Sequence, residues 1–210
     1  WRDWYAPAGC ESAHVVVDPR DPDITYGGCY GGSISRFDRE LGTTEEIMAW
    51  PQMAVGQQAS DLKYRFQWNA PIRLSQHDPD VLYHASNYVH RTSDGGHSWE
   101  LISPDLSRDD ETKQGLAGGP ITKDNTGVEY YCTIFTVAED RLTEGAIWTG
   151  SDDGLVHVTR DGGATWEFEA VAPEWDYHLH RIARSGSGRL YIAAEAGIAY
   201  RSDDDGATWA

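Results

Sequence analysis

Three stretches of this 210-residue chain repeat one pattern: Thr92-Ser93-Asp94-Gly95-Gly96-His97-Ser98-Trp99, Thr159-Arg160-Asp161-Gly162-Gly163-Ala164-Thr165-Trp166 and Ser202-Asp203-Asp204-Asp205-Gly206-Ala207-Thr208-Trp209. Each reads Ser/Thr-x-Asp-x-Gly-x-Ser/Thr-Trp, with every anchor in place. The pattern has the chemistry of a hairpin turn. Asp caps turn amides, Gly supplies a positive φ, and the hydroxyl residues add local hydrogen bonds. The Trp is expected to fold back and seal the loop against the sheet. On this reading Asp94, Gly96, Trp99, Asp161, Gly163, Trp166, Asp204, Gly206 and Trp209 are structural, and the three Asp are not catalytic acids.

Upstream of each box lies a short β-rich run: Val81-Leu82-Tyr83-His84-Ala85, Ala146-Ile147-Trp148-Thr149-Gly150 and Arg189-Leu190-Tyr191-Ile192-Ala193. Its aromatic residue precedes the box Asp by 11, 13 and 13 positions. A degenerate fourth copy opens the chain, with Tyr26 placed 12 residues before Asp38 and no closing Trp. Aligned on the aromatics, the repeats step by 57, 65 and 43 residues. The last step fits a four-stranded propeller blade of about 40–50 residues. Inserted loops at 51–68 and 104–130 account for the longer steps. In the second repeat the strands are expected near 70–75, 81–86, 88–93 and 99–103. No segment of useful length carries a 3.6-residue apolar period, so almost no helix is expected. The fold class is therefore all-β, a β-propeller of four-stranded antiparallel blades. The blades fall at about 11–50, 69–103, 131–172 and 178–210 of a single domain. The last lacks an obvious outer strand, and a fragment of a larger propeller is expected rather than a closed four-bladed ring.

Composition limits the partners. Thirty-four acidic against 17 basic residues give a formal charge of −17. That field repels nucleic acid and anionic membrane surfaces. Hydrophobic content of 40% excludes a disordered acidic tail. No apolar run approaches the roughly 20 residues of a membrane span, and no export signal opens the chain. Three cysteines, Cys10, Cys29 and Cys132, cannot all pair internally. Cys10 and Cys29 flank two neighbouring strands, so the reading leaves two alternatives: one bridge, or three thiols in or near the core.

The boxes resemble the Asp-box, or BNR, repeats of sialidases, xyloglucanases, sortilin-type receptor ectodomains and photosystem assembly factors. Residues 11–170 resemble a bacterial group of large exported Asp-box proteins related to sortilin. The resemblance rests on Tyr26-Gly27-Gly28-Cys29-Tyr30-Gly31-Gly32, Arg65-Phe66-Gln67-Trp68-Asn69-Ala70-Pro71, Gly118-Gly119-Pro120-Ile121-Thr122-Lys123-Asp124 and Trp148-Thr149-Gly150-Ser151-Asp152-Asp153-Gly154-Leu155-Val156. Many members of that group carry the label glycosyl hydrolase on repeat similarity alone. The final repeat is more similar to the photosystem-assembly type. The resemblance implies an extracellular or periplasmic protein.

In a propeller the boxes lie on one face, and the B–C turns with the D–A loops gather on the other. That opposite face is expected to present Tyr64, Arg65, Trp68, Lys123, Asp124, Trp175 and His178 as ligand-binding residues. Aromatic faces and charges together suit a sugar or peptide, although Trp68 and Trp175 also suit plain packing between blades. Glycoside hydrolysis needs two carboxylates about 5–10 Å apart. Asp152 or Asp153 with Glu195 is the one pair to nominate as catalytic. The arginines that recur at the end of strand C (Arg36, Arg91, Arg160, Arg201) read as structural, and the first-blade acid of xyloglucanases has no counterpart at 27–32. No metal site or cofactor is expected. His178-x-His180 is too small a ligand set, and calcium at Asp105, Asp109 and Asp110 is a less simple account than a solvated acidic loop. The expected function is a non-catalytic propeller module that binds a protein or glycan or scaffolds an assembly. A glycoside hydrolase and a subunit of a multi-protein complex are the alternatives.

Overall fold

A computed structural model describes residues 4–11, 14–118, 121, 126–171 and 177–210. Fifteen strands form four antiparallel sheets among these residues. The first holds β1 (Val15–Val17), β2 (Ile24–Gly28), β3 (Ile34–Asp38) and β4 (Thr43–Glu46). The second holds β5 (Ile72–Leu74), β6 (Leu82–Ala85), β7 (Val89–Thr92) and β8 (Glu100–Leu101). The third holds β9 (Ile134–Glu139), β10 (Ile147–Ser151), β11 (Val156–Thr159) and β12 (Glu167–Glu169). The fourth has three strands, β13 (Leu179–Arg184), β14 (Leu190–Ala194) and β15 (Ala199–Ser202). Ala210 starts a fourth row there: it exchanges both backbone hydrogen bonds with Arg201, at 2.8 and 2.9 Å. Helix is limited to four single-turn 3-10 segments, and none of the described helices is long and apolar enough to cross a membrane.

Every sheet is a meander, and the first strands touch in succession, β1 to β5, β5 to β9 and β9 to β13. They therefore lie innermost, which is the radial arrangement of a β-propeller. Each interface between sheets has its own apolar cluster. Tyr26 and Ile34 meet Ile72 and Leu82; Tyr83 and Val89 meet Val137 and Ile147; Trp148 and Val158 meet Ile182 and Ile192. Burying each such side chain contributes about 1.5–3 kcal/mol. Because β2, β6 and β10 lie between covered faces, every residue in them is buried. In β14, buried and exposed residues alternate. The repeat aromatic explains the contrast. Tyr26, Tyr83 and Trp148 are 6%, 6% and 2% exposed, each facing the following sheet, whereas Tyr191 is 41% exposed.

The boxes form as their residues dictate. Asp94 accepts from the backbone N–H of Ser98 (2.9 Å), from its hydroxyl (2.6 Å) and from Thr92 Oγ1 (2.8 Å). Asp161 and Asp204 make the same three bonds in their own turns. These donors hold all three carboxyls below the usual carboxylate range.

The Trp behaves differently from the expectation of a local seal. Trp99 Nε1 donates to the carbonyl of Ile47 (2.8 Å), and Trp166 Nε1 to that of Ile102 (2.7 Å). Ile47 and Ile102 directly follow the outer strands of the preceding sheets. The box is thus a latch between blades. Its second glycine is part of the contact: a Cβ on Gly96 (φ 96°) would lie 2.6 Å from the Ile47 side chain. The strand-C arginines reach the other way. Arg91 donates to the carbonyl of Gly162 (3.4 Å) and Arg160 to that of Asp205 (3.2 Å), each in the next box.

Of the two alternatives for the cysteines, the bridge is present. Cys10 and Cys29 are joined, with Cα atoms 5.0 Å apart, and Cys132 is a buried free thiol. The bridge pins residues 4–11 over the first sheet, where Gly9 N donates to Ser35 Oγ (2.8 Å) and Cys10 N to Gly28 O (2.9 Å).

Candidate functional site

The two inserted loops build a roof over the end of the sheets opposite the boxes. Ala59, Leu62 and Tyr130 form its apolar centre, and Tyr130 Oη donates to the carbonyls of Ala54 (2.9 Å) and Gln57 (3.1 Å). Beside this roof opens a cleft of about 440 Å³, lined by Trp68, Tyr131, Phe135, His178, Asp152 and Glu129 among others. Three residues singled out by sequence, Trp68, Asp152 and His178, therefore share one cavity.

Local bonds place each of them. Gln67 braces the Trp68 turn: its Oε1 accepts from Trp68 N (2.6 Å), and its Nε2 donates to Tyr130 O (3.1 Å). The Trp68 ring meets Tyr30 edge-on at 6.1 Å and remains 39% exposed at the cleft. His178 stands before β13, 5.5 Å from Phe135 between ring centres, with Nδ1 3.7 Å from Glu195 Oε2. Asp152 follows β10 and is fully buried. Its Oδ1 accepts from Thr133 N (2.8 Å) and its Oδ2 from Thr133 Oγ1 (2.7 Å). Burial outweighs these donors and the neighbouring Asp153 adds repulsion, so the carboxyl rises from 3.8 to about 7.

The other nominated residues fall elsewhere. Asp153 points into the protein, accepting from Ser151 Oγ and from Arg108 N (2.7 Å), and burial raises its carboxyl as well. Arg65 is 6% exposed rather than on the surface. It pairs with Asp105 (2.9 Å) and Asp109 (3.0 Å) and donates to Cys132 O (3.1 Å). Tyr64 packs edge-on against Trp50, Tyr88 and His90. Asp105 and Asp109 are held by Arg65, and Asp110 caps Thr112 (3.0 Å), so these three acids serve the loop itself. Among the described residues no group of three or more potential ligands forms a metal site. Lys123, Asp124 and Trp175 lie outside the described residues.

Tyr130, Tyr131, Phe135 and Glu129 complete the cleft without having been singled out from the sequence. The signal was positional: Tyr131 occupies the same loop-to-first-strand entry in the third blade that Trp68 occupies in the second. Chemically, the cleft brings together four aromatic rings, two side-chain amides, an imidazole and two carboxylic residues, one of which, Asp152, is raised by burial. Such a set can stack on a planar or sugar face and exchange hydrogen bonds with hydroxyls.

No protein-family model and no curated protein sequence matches the chain. Solved structures do. A GH74 xyloglucanase from Xanthomonas campestris aligns with a TM-score of 0.63 at 18% identity, over 93% of this chain and 30% of its own. A GH74 enzyme from Niastella koreensis aligns at 0.55 and 17% identity, over 93% of this chain and 29% of its own. The extracellular domain of a one-component system protein from B. thetaiotaomicron aligns at 0.57 and 11% identity, over 99% of this chain and 22% of its own. The chain thus spans less than a third of each of these proteins. At these identities the likeness concerns the fold, which is that of the β-propellers.

Proposed function

We propose that the chain is a non-catalytic binding module of the Asp-box propeller type, and that the cleft beside the roof receives a glycan. The observation that carries this reading is the Trp68 ring, 39% exposed at a cleft whose other walls include Tyr131, Phe135 and His178. An exposed indole held by a braced turn gives sugar rings a rigid apolar face at low entropic cost. Asn69 and Glu129 supply the polar edge that hydroxyls need. The Cys10–Cys29 bridge supports an extracellular or periplasmic setting, where disulfides persist.

Binding of soluble β-glucan and xyloglucan oligosaccharides, followed by calorimetry, tests the reading. Trp68→Ala is expected to weaken binding by at least tenfold, given about 1.5 kcal/mol for a lost stacking contact. Unchanged affinity in that variant, or the absence of binding across a broad glycan array, would overturn it.

A hydrolase is the second reading, and one observation favours it. Asp152, with its raised carboxyl, shares the cleft with a second acid, Glu129. Two carboxylic residues in one cleft are what glycoside hydrolysis requires. Reducing-end release from the same oligosaccharides, abolished by Glu129→Gln and by Asp152→Asn, would establish it in place of the binding module.

A further inference from the structure

On the box side of the innermost strands, away from the glycan cleft, the second, third and fourth sheets enclose a recess of about 220 Å³. Four arginines line it: Arg73 on β5, Arg141 after β9, and Arg181 and Arg184 on β13. Its two acids are already committed. Glu139 accepts from Ser75 Oγ (2.8 Å) and Tyr83 Oη (3.0 Å), and Asp140 is paired with Arg184. Arg184 also holds Asp205, so it is satisfied.

Arg73, Arg141 and Arg181 have no carboxylate partner among the described residues. Arg73 donates to His14 Nδ1 (2.8 Å) and to the carbonyl of Ile72 (2.9 Å), both of them neutral acceptors. Burial and the charges of Arg73 and Arg181 hold His14 at about 4, so at neutral pH it adds no charge and remains an acceptor. Burial and the charge of Arg181 also lower the pKa of Arg73. Two guanidiniums that repel one another are thus kept together in a protein whose net charge is −17. Elsewhere the strand-C arginines Arg91 and Arg160 each find a glutamate. The recess is a local excess of cation in which Arg73, Arg141 and Arg181 meet no carboxylate among the described residues.

We propose that this recess is an anion site that holds a small polycarboxylate between Arg73 and Arg181, with Arg141 at its rim. Guanidinium forks match the planar carboxylate through paired N–H donors. Two guanidiniums on one recess are neutralised by an anion that carries at least two carboxylates. Leu74, Val137 and Ile182 give the wall between them an apolar character that suits the carbon skeleton of an organic acid. The site is independent of the glycan cleft, with no lining residue in common.

Citrate is the probe, titrated calorimetrically into the full chain in 0.15 M NaCl, with inorganic phosphate and the variants Arg181→Gln and Arg39→Gln as further arms. Arg181 is exposed and has no ion-pair partner among the described residues, so its replacement should leave the fold intact, which circular dichroism verifies. Citrate is expected to bind one-to-one with Kd on the order of 0.1 mM and to bind Arg181→Gln at least tenfold more weakly, the loss expected for a charged hydrogen bond. Arg39, paired with Asp23 on the first sheet, is a charge control, and its replacement should leave Kd unchanged. No heat up to 10 mM citrate, equal affinity in Arg181→Gln, equal weakening in Arg39→Gln, or tighter binding of phosphate would each overturn the proposal.

Discussion

Trp99 Nε1 donates to the carbonyl oxygen of Ile47 across a sheet boundary, at 2.8 Å and 52 residues' separation in sequence. The indole closes the preceding blade rather than its own turn. Trp166 repeats the bond to Ile102, whereas Trp209 meets Trp148 edge-on at 6.1 Å and its buried Nε1 has no partner among the described residues. Trp99→Phe and Trp166→Phe should therefore each cost about 2–3 kcal/mol, from a lost hydrogen bond, an orphaned carbonyl and reduced packing. Trp209→Phe removes no bond, and its cost should be about 1 kcal/mol smaller. Urea unfolding of the three variants provides the measurement, and equal losses would contradict the latch.

The paired glycines of each box separate strain from contact. Gly95 (φ 71°) and Gly96 (φ 96°) both lie in the left-handed region, but only Gly96 faces another blade. A Cβ on Gly95 meets nothing within 4 Å, whereas on Gly96 it lies 2.6 Å from Ile47. Gly95→Ala should cost about 1–2 kcal/mol from backbone conformation alone. Gly96→Ala adds overpacking at the blade interface and should cost about 1–3 kcal/mol more. Gly162 and Gly163 repeat the contrast, since a Cβ on Gly163 lies 2.6 Å from the Ile102 carbonyl and one on Gly162 meets nothing. Denaturation midpoints of the four alanine variants should fall into two classes.

The sequence made the repeat legible because hairpin chemistry is local. Asp94 must cap and Gly96 must turn wherever the chain runs, so spacing alone revealed four sheets with almost no helix. The reach of Trp99 to Ile47 is a contact between repeats, and spacing within one repeat carries no information about it. Arg65 shows the same limit at the site. Its position in a loop suggested exposure, but the acids that bury it, Asp105 and Asp109, come from the other inserted loop. Trp68 and His178 could be nominated because they precede first strands and Asp152 because it follows β10, whereas Glu129 owes its place to how the second inserted loop folds.

The Cys10–Cys29 bridge closes a loop of 19 residues' separation, which includes β1 and all of β2. A loop of that length is worth about 3 kcal/mol in the chain-entropy account. The paired variant Cys10→Ser/Cys29→Ser should lose about 2–4 kcal/mol of stability. It should also expose Val15, Val17 and the segment 4–11 to proteolysis ahead of the other sheets. Limited proteolysis with and without reductant tests the order of cleavage. Cleavage beginning in the fourth sheet would show that the bridge does not govern the first.

Burial raises the Asp152 carboxyl from 3.8 to about 7. Between these values the folded protein keeps a proton that the unfolded chain has released. The associated stability is therefore complete below about pH 4 and is lost as pH climbs through 7. Three units correspond to at most about 4 kcal/mol, and relaxation around the buried pair with Asp153 brings the expected loss to about 2–3 kcal/mol. Asp152→Asn mimics the protonated carboxyl: its Oδ1 can still accept from Thr133 N, and its amide can donate to Thr133 Oγ1. Relative to wild type, the variant should gain stability steadily from pH 4.5 to pH 8. Buried His84 and His90, both held well below 6.5, add an opposite slope in the two proteins alike, so the difference between their urea-unfolding curves isolates Asp152. A difference that stays constant with pH would mean that Asp152 ionises freely in the folded protein, and its proton would then be unavailable to any ligand in the cleft.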